Sequence, residues 1–145
     1  MAMVDVSNKA EVFREATASG SIKLKPETIT LVQAGKIAKG NPLYTAKIAG
    51  VLAAKRTSDL IPLCHPLPLT NVDVDVKVTD KTTISATATV KTKAQTGVEM
   101  EALTAVSLAL LTVWDMTKQY EKDAVGQYPS TSIENIHVVR KFKQA

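Results

Sequence analysis

Residues 71–90 read NVDVDVKVTDKTTISATATV, and this stretch decides the fold. Apolar and polar residues alternate without a break from Val72 to Val78 and again from Ile84 to Val90. An alternation of period two places all the apolar side chains of a strand on one face. The stretch therefore predicts a β-hairpin with one buried face, whose turn lies between Asp80 and Thr83.

The sequence before the hairpin predicts one more strand and two helices. Val12–Leu24 has apolar or small residues at every second position except Arg14, which falls on the core-facing side. Pro26 opens a first helix that ends near Gly35, and Asn41 caps a second helix. The apolar stripe of that second helix consists of Leu43, Ala46, Ile48, Ala49, Leu52 and Ala53.

The remaining sequence predicts a loop, a long helix and a last strand. Three prolines within residues 62–68 predict that residues 58–69 form a stiff, extended loop without a helix. Thr96 and Glu99 have the spacing of a capping box, which opens a helix ending between residues 118 and 122. A loop over residues 126–132 leads to a strand around Ile136–Val139, followed by a short basic end.

The predicted order is strand, helix, helix, strand, strand, helix, strand. With the helices on one face of an antiparallel sheet, this is an α+β sandwich similar to the ferredoxin-like plait. We expect residues 1–145 to form a single domain, because 145 residues of which 45% are hydrophobic suit one core. This fold hosts enzymes, RNA-binding domains and ligand sensors, so function has to be argued from individual residues.

Composition excludes several classes of protein. The net charge of +4 permits an anionic partner without identifying one, and an aromatic content of 4% disfavours a protein that stacks many bases. The single cysteine predicts a reduced, cytoplasmic protein without a cysteine-rich zinc site. The longest apolar run, Ala102–Trp114, is shorter than the roughly 20 residues of a membrane span, which predicts a buried helix and no membrane segment.

Two groups of residues are candidates for chemistry. His65 stands between prolines beside Cys64, and a rigid loop of this kind suits a positioned acid, base or hydrogen-bond donor. A partly exposed histidine in a crossover loop explains the pattern equally well. Asp115 and Lys118 are three residues apart on one helix face and could form a proton-transfer pair or a simple surface ion pair.

Further charged residues are candidates for an anion site. Lys39 precedes a helix N-terminus, Lys55 ends that helix, and Arg14 on an apolar face needs a partner for its charge. Glu101 lies 14 residues before Asp115, which is roughly 21 Å along a helix. If both touch one ligand, that ligand is long or the site joins two subunits.

Six local strings go beyond these patterns. They occur in the order Met3–Ser7, Ala46–Gly50, Ala53–Thr57, Asp59–Pro66, Thr96–Ala105 and Trp114–Lys118. Together they closely resemble cyclic pyranopterin monophosphate synthase, the molybdenum cofactor biosynthesis protein C family, over most of the chain. The resemblance implies a lyase that converts (8S)-3′,8-cyclo-7,8-dihydroguanosine 5′-triphosphate into cyclic pyranopterin monophosphate and pyrophosphate.

The resemblance also implies roles for individual residues. Asp115 matches the family's catalytic aspartate, with Lys118 as its partner. The substrate-binding positions are Leu63, Cys64, His65, Met100 and Glu101. The triphosphate needs cations, for which Lys39, Lys55, Lys118 and Arg14 are the candidates.

The family forms hexamers, built as a trimer of dimers with sites at a dimer interface. No resident cofactor or metal site is implied, although Mg²⁺ could accompany the triphosphate. The C-terminal segment after Tyr128 departs from the glycine-, lysine- and serine-rich tail of many relatives.

Three alternatives stay open. An RNA-binding domain on the same plait would need aromatic residues on its central strands, and residues 69–93 contain none. A ligand sensor that has kept the family scaffold would bind substrate without turnover. A structural subunit of an oligomer has no specific support.

Overall fold

The computed structural model describes all 145 residues and contains four strands and four helices. In chain order they are β1 (Val12–Lys23), α1 (Pro26–Gln33), α2 (Pro42–Lys55), α3 (Thr57–Leu60), β2 (Leu69–Asp80), β3 (Thr83–Ala94), α4 (Glu99–Glu121) and β4 (Ser132–Lys143).

The four strands form one antiparallel sheet in the order β2-β3-β1-β4. The predicted hairpin is confirmed, with Val72 opposite Val90 and Val78 opposite Ile84. Each strand has 12 residues, so pairing continues beyond the alternating stretch. The element order and the strand order are those of the ferredoxin-like plait, which confirms the predicted α+β class.

Helices α2 and α4 cover one face of the sheet, and small residues let them approach it closely. A methyl group added at Gly20 of β1 would lie 2.9 Å from Cγ1 of Ile136 and 3.1 Å from Cδ1 of Leu110 in α4. One added at Gly50 of α2 would lie 3.2 Å from the carbonyl oxygen of Ala105. The core between the layers is built mainly of alanine, valine and isoleucine, which suits this close packing.

The prediction for α2 is partly wrong. Asn41 caps the helix as predicted, since its Oδ1 accepts from the backbone N–H of Tyr44 at 3.1 Å. However, Ile48 and Leu52 of the predicted apolar stripe are 47% and 50% exposed. The helix instead buries its smallest residues, Ala46, Gly50, Ala53 and Ala54, because these permit the close approach to α4.

Two local predictions around the proline-rich loop and α4 are wrong. Residues 58–60 lie in the one-turn helix α3, anchored by Thr57, whose hydroxyl donates to the carbonyl oxygens of Ala53 and Ala54. The prolines begin only after this turn. The capping box does not form: Val98 occupies the N-cap position without a side-chain bond, and Glu99 pairs with Lys141 of β4 instead.

Strand β4 lies at an edge of the sheet and is irregular. It is longer than the predicted strand, because the basic end of the chain continues the strand up to Lys143. Two register shifts interrupt its pairing with β1, and Asn135 beside one of them has a φ of 59°. A left-handed residue of this kind is typical of a bulged strand.

Helix α4 is long and apolar enough to cross a membrane by length and composition alone. In the fold, one side of it packs on β1 and β3 and another side on α2. Val106, Leu110 and Val113 are among the fully buried residues on the packed part of the helix. This is the position of a core helix, as the sequence predicts.

Candidate active site

Asp115 stands between two lysine side chains near the C-terminal end of α4. Its Oδ2 is 3.1 Å from Nζ of Lys39, and its Oδ1 is 3.1 Å from Nζ of Lys118. Lys39 also donates to the backbone carbonyl of Asp115 at 3.0 Å. The three side chains are between two fifths and three fifths exposed, so a ligand can reach all of them.

The two ammonium groups determine the protonation state of Asp115. Hydrogen bonds from Lys39 and then Lys118 hold the pKa of its carboxyl below the usual range, and the two positive charges act in the same direction. Asp115 is therefore a carboxylate at neutral pH. It can accept a proton, while the lysines can bind anionic oxygens.

A second group of predicted residues surrounds a cleft of about 430 Å³ at the other end of α4. The proline-rich loop supplies Leu63, Cys64 and His65, and α4 supplies Met100. Nε2 of His65 donates to the carbonyl oxygen of Val4 at 2.7 Å, which ties the N-terminal segment to the loop. This bond places residues 4–9 along one wall of the cleft.

Glu101 is a buried carboxyl group near this cleft. It is 3% exposed, and its Oε2 has no hydrogen-bond partner. Burial raises the pKa of Glu101, and the neighbouring charge of Glu99 raises it further. Burial likewise raises the pKa of the Cys64 thiol, with a contribution from the charge of Glu101. Both shifts favour the neutral, protonated form of the group over its charged form, compared with the same group in water.

Arg14 is buried, as its position in β1 predicted, and its partners are mainly carbonyl groups. Its Nε donates to Ala94 at 3.0 Å and its Nη2 to Gln95 at 3.2 Å. Burial raises the pKa of Glu99, but Lys141 and the charge of Arg14 outweigh burial and leave that pKa below its usual value. Arg14 thus holds the backbone at Ala94 and Gln95, directly before Thr96 and Gly97 of the cleft.

The predicted site residues fall into two separate groups. We call Lys39, Asp115 and Lys118 the Asp115 end, and Arg14, Lys55, Leu63, Cys64, His65, Met100 and Glu101 the His65 end. Lys55 belongs to the second group because it lines a pocket with Leu67, a residue that also lines the cleft. Since α4 is continuous from Glu99 to Glu121, roughly 21 Å of helix separate Glu101 from Asp115.

Comparison with known proteins identifies the family. The model of the MoaC family matches residues 3–143. The chain belongs to the MoaC family. It is 58% identical over 142 residues to the probable cyclic pyranopterin monophosphate synthase of Methanococcoides burtonii, which covers 98% of this chain and 89% of that protein.

Two further members of the MoaC family show the same relationship. The probable cyclic pyranopterin monophosphate synthase of Thermococcus onnurineus is 58% identical, covering 98% of this chain and 90% of its own. A protein of Methanothermobacter thermautotrophicus named as a probable cyclic pyranopterin monophosphate synthase accessory protein is 57% identical, with coverages of 97% and 88%.

The structure adds one residue to the site that the sequence patterns did not single out. Lys9 lines the cleft together with Glu99, for which the sequence patterns predict only a helix-capping role, and Lys9 adds a positive charge to the His65 end. Lys9 lies two residues after the end of the Met3–Ser7 string, and this proximity was the one available signal in the sequence. In addition, no three His, Cys, Asp or Glu side chains converge in a group that could hold a metal ion.

Proposed function

We propose that this chain converts (8S)-3′,8-cyclo-7,8-dihydroguanosine 5′-triphosphate into cyclic pyranopterin monophosphate and pyrophosphate, an early step of molybdenum cofactor biosynthesis. The observation that carries the proposal is a MoaC-family chain, matched over residues 3–143, in which Asp115 stands between two lysines. The relatives of Methanococcoides burtonii and Thermococcus onnurineus, each 58% identical to this chain and named as probable synthases of this product, support the same reaction.

The Asp115 end suits the polyanionic part of the reaction. Pyrophosphate leaves more easily when cations stabilise the charge that develops on it. Lys39 and Lys118 lie on opposite sides of one carboxylate, so their ammonium groups are held apart and both face solvent. In the proposed reaction they bind phosphate oxygens, and the Asp115 carboxylate accepts a proton from the substrate.

The His65 end suits proton donation. Opening and reclosing the rings of the substrate requires both a proton donor and a proton acceptor. Where two groups have pKa values shifted in opposite directions, the group with the raised pKa suits the donor and the group with the lowered pKa suits the acceptor. The raised pKa of Glu101 and the lowered pKa of Asp115 have this relationship. We therefore assign proton donation to Glu101 and proton acceptance to Asp115.

One substrate molecule cannot contact both ends of the same α4 helix while its reacting atoms stay close to both, because roughly 21 Å separate Glu101 from Asp115. A second copy of the chain therefore has to complete the site. Met100, Ser107, Leu111, Asp115 and Lys118 lie within roughly 80° of one another around α4. If the α4 helix of a second copy packs antiparallel on this face, a two-fold axis between Ser107 and Leu108 brings Asp115 beside the partner's Met100. Two complete sites then result from two chains.

The surface around this axis supports such a contact. Leu111 is 50% exposed on α4, and Tyr44, Ile48 and Leu52 form an exposed apolar stripe on the adjacent helix α2. Exposed apolar surface of this kind is typical of a protein–protein contact. We propose the dimer as the unit of the site and a hexamer, as a trimer of dimers, as the full assembly.

We propose no resident cofactor and a cytoplasmic location. Mg²⁺, where it takes part, enters with the triphosphate, because proteins commonly hold this ion through substrate phosphates. The single thiol, Cys64, is unpaired, which suits a reducing compartment.

The test is turnover of the cyclised dihydroguanosine triphosphate by the purified protein, with pyrophosphate and pterin product followed together. Equal amounts of both products, lost in Asp115→Ala, would support the reaction and the role of Asp115. Lys47→Ala is the matched control. Lys47 belongs to neither end, and its Nζ lies 3.8 Å from Oδ1 of Asp75, with which it forms an ion pair. Binding without product would favour a ligand sensor instead.

A further inference from the structure

The loop that carries Lys39 is tied to α4 by a tyrosine hydroxyl. The phenol oxygen of Tyr120 accepts from the backbone N–H of Ala38 at 2.8 Å, one residue before Lys39. Tyr120 itself is partly buried and packs its ring against the core. The bond therefore connects a residue held by the core to the peptide that presents Lys39.

The connecting loop needs such a tie. Residues 34–41 between α1 and α2 contain two glycines with positive φ, Gly35 at 69° and Gly40 at 115°, and neither has a neighbour within contact distance of an added methyl group. Ile37 is buried in the core, but Ala38 and Lys39 are exposed. Between Ile37 and the helix start at Pro42, the Tyr120 hydroxyl is the fixed point nearest to Lys39.

The same end of α4 also holds the element that leads into this loop. The Glu121 carboxylate is fully buried and accepts from Thr28 and from the backbone N–H of Lys25, at the start of α1. The Lys25 ammonium donates to the carbonyl oxygen of Tyr120 at 3.2 Å. Two consecutive residues, less than two turns from Asp115, thus set the position of α1 and of the loop relative to α4.

We propose that Tyr120 is a positioning residue for Lys39, so that its hydroxyl fixes the distance between the Lys39 ammonium and the Asp115 carboxylate. This deepens the proposed function and rests on it, because Lys39 matters only if the Asp115 end binds phosphate and reacts. Tyr120 acts through the backbone of Ala38 and does not touch the substrate. A shift of the order of 1 Å in such a group costs up to about 100-fold in rate.

The test compares Tyr120→Phe with Tyr128→Phe. Both remove one phenol oxygen, but Tyr128 packs edge-on against Trp114 and forms no side-chain hydrogen bond, so it is the matched control. We expect Tyr120→Phe to lower kcat about three- to tenfold, the effect of losing one hydrogen bond. We expect faster hydrogen exchange at the Ala38 amide and unchanged exchange in β1 and β3.

A double-mutant cycle separates positioning from a general loss of structure. The affinity for inorganic pyrophosphate is measured by calorimetry for wild type, Tyr120→Phe, Lys39→Ala and the double variant. If Tyr120 acts through Lys39, Tyr120→Phe weakens binding in the wild type and has no further effect in Lys39→Ala. Equal effects in both backgrounds, or no effect in either, would overturn the proposal.

The cycle also keeps the two proposals apart. If the wild-type protein does not turn over the cyclised nucleotide, the proposed reaction fails, yet the affinity and exchange measurements still decide whether Tyr120 positions Lys39. If wild type is active and Tyr120→Phe matches Tyr128→Phe in kcat, the reaction stands and the positioning role is wrong.

Discussion

Mixing two impaired variants tests whether the active site is shared between subunits. We expect Asp115→Ala to abolish turnover at the Asp115 end and His65→Ala to weaken binding or slow turnover at the His65 end. In a two-fold dimer of one chain of each kind, one site receives both defects and the other receives neither. Random exchange at equal concentrations makes half of the dimers mixed, so about a quarter of all sites become wild type.

The expected magnitude depends on the helix that separates the two ends. Because roughly 21 Å of α4 lie between Glu101 and Asp115, a site confined to one chain cannot use both ends. If it did, a mixed dimer would contain no intact site and the activity would stay at the level of the separate variants. The shared-site model therefore predicts that mixing recovers about a quarter of wild-type activity, and the single-chain model predicts that mixing recovers none.

The assay follows pyrophosphate release after subunit exchange, with mixed assemblies verified by native mass spectrometry. A mixture of Asp115→Ala with Lys118→Ala is the matched control, because both changes lie at the same end and every site in a mixed dimer keeps one defect. Verified exchange between Asp115→Ala and His65→Ala without recovery of activity would refute the shared site.

Three further predictions follow from individual residues. Lys118→Ala abolishes turnover while circular dichroism and assembly stay unchanged, since Lys118 is partly exposed and its one ion pair is with Asp115. Glu101→Gln makes the free energy of unfolding less dependent on pH. The pKa of Glu101 is raised on folding, so its contribution to stability is complete below about pH 4.5 and is lost as the pH rises through the pKa of the folded state. Urea unfolding from about pH 4 to about pH 8 should therefore show wild type losing stability that Glu101→Gln keeps. Glu121→Leu leaves one backbone N–H and two threonine hydroxyls without their acceptor and costs about 2–5 kcal/mol in urea unfolding; a loss below 1 kcal/mol would contradict this account.

The strands of this fold were predictable because their signal is local. The alternation in residues 71–90 contains the buried face, the turn and the register of the hairpin, and nothing distant has to be known. Asn41 was predictable for the same reason, because a cap bonds to a backbone group three residues away. The order of these elements then left few antiparallel arrangements, and the ferredoxin-like plait was among them.

The exposed stripe of α2 shows where local reasoning fails. Ile48 and Leu52 are apolar enough to be taken as core residues, but Gly50 and Ala54 lie on the side that packs. The choice between the two sides depends on the distance to α4, which the sequence of α2 does not contain. The capping box failed similarly, because Glu99 found a distant partner in Lys141.

The residues of the candidate site were each predictable, but their grouping was not. Lys118 is three residues from Asp115 and shares its helix face, so this pair follows from spacing. Lys39 is 76 residues away and reaches Asp115 only because α1, the loop and α2 fold back along α4. The division into two ends follows from the length of one unbroken helix.

The irregularity of β4 has a consequence for how copies of this chain can associate. A regular edge strand of 12 residues would be an open template on which further chains could add without limit, as fibres do. The two register shifts and the left-handed Asn135 break that template, so a second chain finds no continuous ladder to join. Growth of the sheet at its β4 edge is thereby blocked, and association at this edge is confined to side-chain surfaces, where symmetry can close it at a fixed number of subunits.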